Sequence, residues 1–255
     1  MVAPKSILIT GASSGIGAAL ARAYAGAGVR LALGGRDEPR LDRVVDACQR
    51  AGAEVEAALI DVTDRGAMAD WVARADRVRP LDLVIANAGV SAGRGRGHGV
   101  ETADQTRAIF AVNLDGVLNT VLPAIPLMRA RGHGQIAIIS SLSAFRGFPG
   151  APAYSASKAA VRVWGEALRT ALYHDGVAVS VVCPGFVESR ISASNRFPMP
   201  MLMSADRAAR IIRRRLARRR PRIAFPWPMY FAAWLAGALP PRLTDPLMRL
   251  LPDKE

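Results

Sequence analysis

The sequence predicts an α/β fold in a single domain: a doubly wound parallel sheet of about seven strands, flanked by helices. Three observations carry this prediction. Short β-branched or aliphatic runs alternate with longer segments of helical period, the pattern of strand–helix–strand crossovers. Most of the runs are continuously apolar, as expected of parallel strands covered on both faces. At 255 residues and 51% hydrophobic composition, a chain of this size buries about 70–75% of its unfolded surface in one core, which excludes disorder.

The predicted strands before residue 184 are Ile7 to Thr10, Arg30 to Leu33, Glu54 to Ile60, Leu81 to Ala86, Gln135 to Ser140 and Val177 to Cys183. Between them, Gly15 to Ala27, Glu38 to Ala51, Asp64 to Arg77, Glu101 to Arg129 and Pro152 to Asp175 are rich in Ala, Leu and Arg and read as crossover helices. Composition shifts after Ser204. An Arg-rich helix from Ala205 to Arg220 precedes a short strand, Arg222 to Phe225, and a Pro/Trp-rich apolar tail. In such sheets ligands bind beyond the carboxyl ends of the strands, near the point where strand order reverses. The loops after Thr10, Leu33, Ile60, Ala86, Ser140 and Cys183 are therefore the ones to search.

The first of these loops reads Thr10-Gly11-Ala12-Ser13-Ser14-Gly15-Ile16-Gly17 and opens a helix. Glycines let the backbone approach a pyrophosphate, and a helix N-terminus offers free N–H groups to its oxygens. A Walker A loop would end in Gly-Lys-Ser/Thr, and this one does not. Its spacing, Gly-x-x-x-Gly-x-Gly, also departs from the commoner Gly-x-Gly-x-x-Gly fingerprint. Placement between a first strand and a helix nonetheless makes it a Rossmann-like dinucleotide cradle.

Further motifs follow in order: Asp61-Val62, Asn87-Ala88-Gly89, Asn113, Ser141, Tyr154-Ser155-Ala156-Ser157-Lys158 and Pro184-Gly185, with Ser189 beyond. With the glycine loop, this set resembles the classical short-chain dehydrogenase/reductase family over about residues 5 to 190. Ser189 stands where that family usually has Thr. The resemblance implies an oxidoreductase acting on the CH–OH/C=O pair, with Asn113, Ser141, Tyr154 and Lys158 catalytic. It implies cofactor contacts from Gly11, Ser13, Ser14, Gly15, Ile16, Gly17, Arg36, Asp61, Val62, Asn87, Ala88, Gly89, Tyr154, Lys158, Pro184, Gly185, Val187 and Ser189. Tyr154 would exchange the proton of the substrate oxygen, Lys158 would also hold the nicotinamide ribose, and Ser141 would hydrogen-bond the carbonyl. Asn113 would kink its helix and support a water chain to Lys158. Homodimers or homotetramers are implied as well.

The residues themselves support parts of this. Tyr154 and Lys158 are four apart on a predicted helix and share a face, where an ammonium stabilises a phenolate. The second strand ends in Gly34-Gly35-Arg36-Asp37. An acidic side chain there would accept from the 2′-hydroxyl of NAD, whereas Gly35 followed by the planar fork of Arg36 favours the 2′-phosphate of NADP(H). Asp37, and Ser14 where many NADP-using relatives carry a basic residue, keep NAD(H) as the alternative.

The formal charge is +13, but residues 204–222 hold nine Arg and one Asp, so the other 236 residues carry only +5. The basic excess is a local property. Ala208, Ile211, Ile212 and Leu216 form a narrow apolar stripe that should pack and leave the arginines outside. Phe225 to Phe231, with Trp234 and Leu235, supplies aromatics suited to a membrane interface. Lid or subunit contact, peripheral contact with an anionic membrane, and docking of an acidic carrier protein are the readings of residues 204–255; nucleic acid is the least favoured partner. Residues 186–203 are the expected substrate loop. Its Phe197, Met199, Met201, Leu202 and Met203 suggest a small apolar carbonyl or alcohol as substrate, and a fatty-acyl or lipid carbonyl is the variant of that reading. A catalytically idle NADP-binding sensor is the alternative function.

Cys48 and Cys183 are the only cysteines and lack metal-ligand neighbours, so neither a disulfide framework nor a metal site is expected. The longest uninterrupted apolar stretch, Met229 to Leu239, falls short of the roughly 20 residues a spanning helix needs. With no secretory signal in the first residues, the cytoplasm is the expected compartment. His98, His133 and His174 read as surface residues, and Arg94 to Gly99 as a loop beside the cleft.

Overall fold

The computed structural model describes residues 3–92, 101–193 and 198–249. The Arg94 to Gly99 loop with His98, and Phe197, lie outside the described residues. Seven strands form one parallel sheet in the order β3-β2-β1-β4-β5-β6-β7. The first half comprises β1 (Ser6–Thr10), α1 (Gly15–Tyr24), β2 (Arg30–Gly35), α2 (Glu38–Arg50), β3 (Glu54–Leu59) and α3 (Arg65–Val78). After β4 (Leu83–Ala86) the chain adds strands on the other side of β1, so order reverses between β1 and β4. This is the switch point at which a crevice opens.

Strands β1, β2 and β4 are buried along their whole length, as their apolar runs require. Ile7, Ile9, Leu31 and Leu33 pack toward α1 and α2 on one face; Leu8, Ala32 and Val84 pack toward Met68 and Trp71 of α3 on the other. β3 is an edge strand and none of its residues is fully buried. Asp37 and Asp64 cap α2 and α3 by accepting from the Arg40 and Ala67 N–H groups, contacts worth about 1 kcal/mol each. β4 begins two residues later than predicted, because the Leu81 N–H is taken by the Asp76 carboxylate at 2.8 Å.

The predicted helix from Glu101 to Arg129 is broken into three. α4 (Ala103–Phe110) starts on a Thr102/Gln105 capping box, a π-turn follows at Ala111–Asp115, and α5 (Gly116–Val121) and α6 (Ala124–Ala130) meet at Pro123. The π-turn centres on Asn113, where the family resemblance implies a local kink. The break at Pro123 reflects its missing N–H. By length and hydropathy the helical run Ala103–Ala130 would also suit a membrane span. Its Val112, Val117, Val121, Ala124 and Met128 are instead buried against the sheet.

Beyond β5 (Gly134–Ile139) come a 3₁₀ turn at Leu142–Ala144, α7 (Pro152–Ala171), β6 (Val177–Pro184) and the short α8 (Arg190–Ala193). α9 (Ala205–Leu216) buries Ala208, Ala209, Ile212 and Leu216, so the predicted stripe packs against the core. It stops before Arg220: Arg219 takes a left-handed conformation at φ 48°, and the Arg220 N–H returns to the Arg215 carbonyl at 3.2 Å. After β7 (Arg222–Phe225) the apolar tail folds as two helices, α10 (Trp227–Ala238) and α11 (Pro241–Met248).

Candidate active site

One cleft of about 1160 Å3 opens over the carboxyl ends of β1, β2, β4, β5 and β6. Its floor at β1 is the glycine loop. Gly11 has φ +65° and Gly17 has no room for a side chain, since a Cβ would fall 2.3 Å from the Gly11 carbonyl oxygen and 2.5 Å from Asn87 Nδ2. Asn87 fixes this junction by donating to the Thr10 and Gly11 carbonyls at 2.9 and 3.2 Å. Ser14 precedes α1 but makes no side-chain cap, and the first turn carries no acidic residue. The first turn of α1 thus lies at the cleft with no side-chain cap on its N–H groups, in contrast to the capped α2, α3, α4 and α9.

At the β2 end, Gly35 lies beside Ser13, and a Cβ there would sit 3.3 Å from Ser13 Cβ. Arg36 follows and donates to Asp61 at 3.2 Å, with both side chains substantially exposed. Burial opposes ionisation of Asp61, but hydrogen bonds from the Thr63 N–H and hydroxyl, and then from Arg36, outweigh it and hold the carboxyl below its usual range.

The other end of the cleft holds the reactive side chains. Tyr154 and Lys158 lie on the first turns of α7, on one face, with Lys158 Nζ 5.8 Å from the Tyr154 ring centre. Lys158 is buried and donates to the Ile139 carbonyl at 3.0 Å. Burial lowers its pKa to about 8. Burial raises the Tyr154 phenol above its ordinary value, and a hydrogen bond with the Ser141 side chain partly offsets this. Ser141 stands just after β5 and also accepts from the Ser143 N–H and hydroxyl at 3.2 and 3.0 Å. Ser140, the adjacent hydroxyl, turns away and donates to the Lys158 carbonyl at 2.7 Å.

Asn113 does not line the cleft but supports it from behind. Fully buried in the π-turn, it accepts from the Val90 N–H at 2.8 Å and donates to the Val90 carbonyl at 2.9 Å and to Ser157 Oγ at 3.0 Å. Gly89 fits between the two groups: an added Cβ would lie 3.2 Å from Asn113 Oδ1 and 3.3 Å from Lys158 Nζ. Gly17 and Asp61 likewise stand outside the lining, whereas Val62, Ala88, Pro184, Gly185, Val187 and Ser189 are in it. Ser189 closes over the glycine loop, where a Cβ on Gly15 would meet its Cβ at 2.9 Å.

The model of the short chain dehydrogenase family matches residues 5–198. This chain belongs to the short-chain dehydrogenase family. As such it is an oxidoreductase acting on the CH–OH/C=O pair. An uncharacterized oxidoreductase of Myxococcus xanthus is 38% identical to this dehydrogenase over 253 residues, 97% of each chain. A short-chain dehydrogenase/reductase of Burkholderia phymatum, solved with NAD, is 27% identical with a TM-score of 0.82, covering 98% of this chain and 97% of that one. A short-chain dehydrogenase of Sphingobium yanoikuyae, solved with NADPH, is likewise 27% identical over the same shares, with a TM-score of 0.79.

Several lining residues of the dehydrogenase carried no sequence signal. Arg146 lies on the cleft wall and pairs with Asp245 of α11 at 2.5 Å, an ion pair across 99 positions of chain. Met229, Ala233, Ala236 and Met248 of the two C-terminal helices form an apolar wall. The methionines expected to supply that wall do not: Met203 is buried, Met201 points outward, and neither they nor Met199 line the cleft. Met203 is drawn inward because its N–H and carbonyl pair with Phe186 and Glu188 at 3.0 and 2.9 Å. Among the described residues of 186–203 beyond α8, Pro198 and Pro200 reach the cleft. His133 and His174 are exposed, as expected.

Proposed function

We propose that this dehydrogenase interconverts an apolar ketone and its secondary alcohol with NADP(H), using Tyr154 as general acid and base. The observation that carries the reading is the joint placement of Ser141, Tyr154 and buried Lys158 in one cleft with the glycine cradle. The uncapped first turn of α1 and the glycines without room for a side chain fit a dinucleotide pyrophosphate. When bound, a nicotinamide cofactor supplies or accepts the hydride.

The chain's own groups handle the proton. Ser141 donates a hydrogen bond to the carbonyl oxygen, where negative charge develops, and Tyr154 gives that oxygen its proton in reduction or removes it in oxidation. The phenolate left behind is stabilised by the nearby Lys158 cation. Asn113 is a positioning residue: by saturating Val90 and Ser157 it fixes the loop after β4 against α7. Gly35 and Arg36 at the end of β2 support NADP(H) over NAD(H), because the planar Arg36 guanidinium lines the cleft there and suits a 2′-phosphate. Residues 186–203 act as the substrate loop. The substrate class follows from the apolar wall of α10 and α11.

Oxidation of NADPH against a panel of steroid, aromatic, quinone and fatty-acyl carbonyls tests this reading, with Tyr154→Phe as the control. Turnover should fall on the order of 10²–10⁴-fold while NADPH binding persists. Equal turnover in the two proteins would overturn the assignment of Tyr154.

A further inference from the structure

We propose that the outer face of α10 docks on an anionic lipid bilayer, and that the cleft exchanges its apolar substrate at that surface. The substrate half of this statement rests on the function proposed above; the docking half stands on the helix itself.

α10 has two apolar faces with different partners. Its inner face is engaged: Met229, Ala233 and Ala236 line the cleft, and Tyr230 meets Phe145 edge-on with ring centres 5.3 Å apart. Gly237 approaches Phe145 so closely that a Cβ would fall 2.1 Å from its carbonyl oxygen, so the helix has no freedom to roll inward. The outer face is an aromatic ladder. Trp227, Phe231 and Trp234, at i, i+4 and i+7, are 69%, 47% and 46% exposed. Their rings follow one another at 5.7 and 6.1 Å. Leu235 continues the stripe, and α10 contains no charged residue. Large rings with a polar edge favour the boundary between lipid and water.

Charge selects the occupant. Residues 198–249 contain eleven arginines and two acidic residues. Arg207, Arg210, Arg214, Arg218 and Arg220 are exposed and have no acidic partner among the described residues, and exposed Arg242 follows α10 directly. A second copy of this chain carries the same net charge of +13, which opposes its approach. An anionic bilayer complements it: long-range attraction concentrates the protein at the surface, and burial of the aromatic stripe holds it there. The bilayer also dissolves apolar carbonyls beside the cleft wall that α10 forms.

The test is sedimentation of the full chain with phosphatidylcholine vesicles, with and without phosphatidylserine, with tryptophan emission read on the same samples. Binding is expected on the phosphatidylserine vesicles at low salt, with emission shifted to the blue, and about tenfold weaker on pure phosphatidylcholine or at high salt. The triple variant Trp227→Ser, Phe231→Ser, Trp234→Ser should lose about tenfold or more of the binding. Arg218→Gln, Arg220→Gln, Arg242→Gln should lose the salt-dependent part with the aromatic face intact. Retained turnover of a soluble carbonyl shows that each variant is folded. Absence of wild-type binding to phosphatidylserine vesicles at low salt, or unchanged binding by the aromatic variant, overturns the proposal. So does a dimer in light scattering that the aromatic variant dissociates without any vesicle binding. Lost docking with turnover intact removes this inference alone; vesicle binding without turnover removes the catalytic reading alone.

Discussion

The Arg36 guanidinium donates to the Asp61 carboxylate at 3.2 Å, joining the ends of β2 and β3 at the rim of the cleft. The pair does two things at once. It orients the planar fork of Arg36 beside Gly35, and it partly neutralises the cation that a 2′-phosphate would meet. Arg36→Ala should raise KM for NADPH about 10–100-fold, the worth of charge-assisted hydrogen bonds to phosphate. KM for NADH should change much less. Equal effects on the two cofactors would remove Arg36 from the 2′-phosphate site.

Lys158 gives a pH prediction with a defined sign. Its pKa is lowered to about 8, so the cation beside Tyr154 is present below pH 8 and lost above it. Tyr154, raised by burial, stays protonated over the same range. The reductive kcat/KM should therefore decline as pH rises through about 8.

The same shift is a cost in stability. A buried lysine bound to a proton below its folded pKa destabilises the native state by roughly 3 kcal/mol, and the cost is relieved between pH 8 and the unfolded value of 10.5. Lys158→Met should abolish turnover yet raise Tm at pH 7, by less than that cost because the bond to the Ile139 carbonyl is lost. The gain should shrink near pH 10.5. Thermal melts at the two pH values check this, and a Tm lowered equally at both would contradict it.

Gly17 leaves no space for a methyl group. Gly17→Ala would press a Cβ into the Gly11 carbonyl and Asn87, costing about 1–3 kcal/mol by overpacking. Because the displaced atoms belong to the cradle, cofactor titration should show at least tenfold weaker binding, a larger effect than the same change at open Gly147.

Asn113→Leu should cost about 2–4 kcal/mol in denaturant unfolding. It leaves the Val90 N–H and carbonyl without their buried partner. Turnover should fall with cofactor binding retained, since the loop after β4 loses its tie to α7.

Most of the sheet and the reactive end of the cleft are legible in the sequence, because continuous apolar runs and the Tyr154–Lys158 spacing are local signals. The kink at Asn113 follows only from the family resemblance; a lone Asn in an apolar helical run carries no local signal. α10 is not legible: apolar residues on both faces give no periodicity to read, and Pro226 and Pro228 look like loop markers although Pro228 occupies the first helical turn, where its missing N–H costs nothing. The Arg146–Asp245 pair and the Arg36–Asp61 pair depend on tertiary meeting of distant segments and have no local signature. The methionines of residues 199–203 misdirect, since composition alone does not say which way a side chain points.

The division of labour along the cleft has an engineering consequence. The cradle and the proton-handling groups come from residues 11–192, while Pro198, Pro200, Met229, Ala233, Ala236 and Met248 supply the apolar wall from a separate stretch of chain. Exchanging only α10 and α11 would replace the helical part of that wall while leaving the core helix α9, the strand β7 and the reactive groups in place. The two terminal helices are thus the replaceable part, through which one catalytic body could be retuned to new carbonyls.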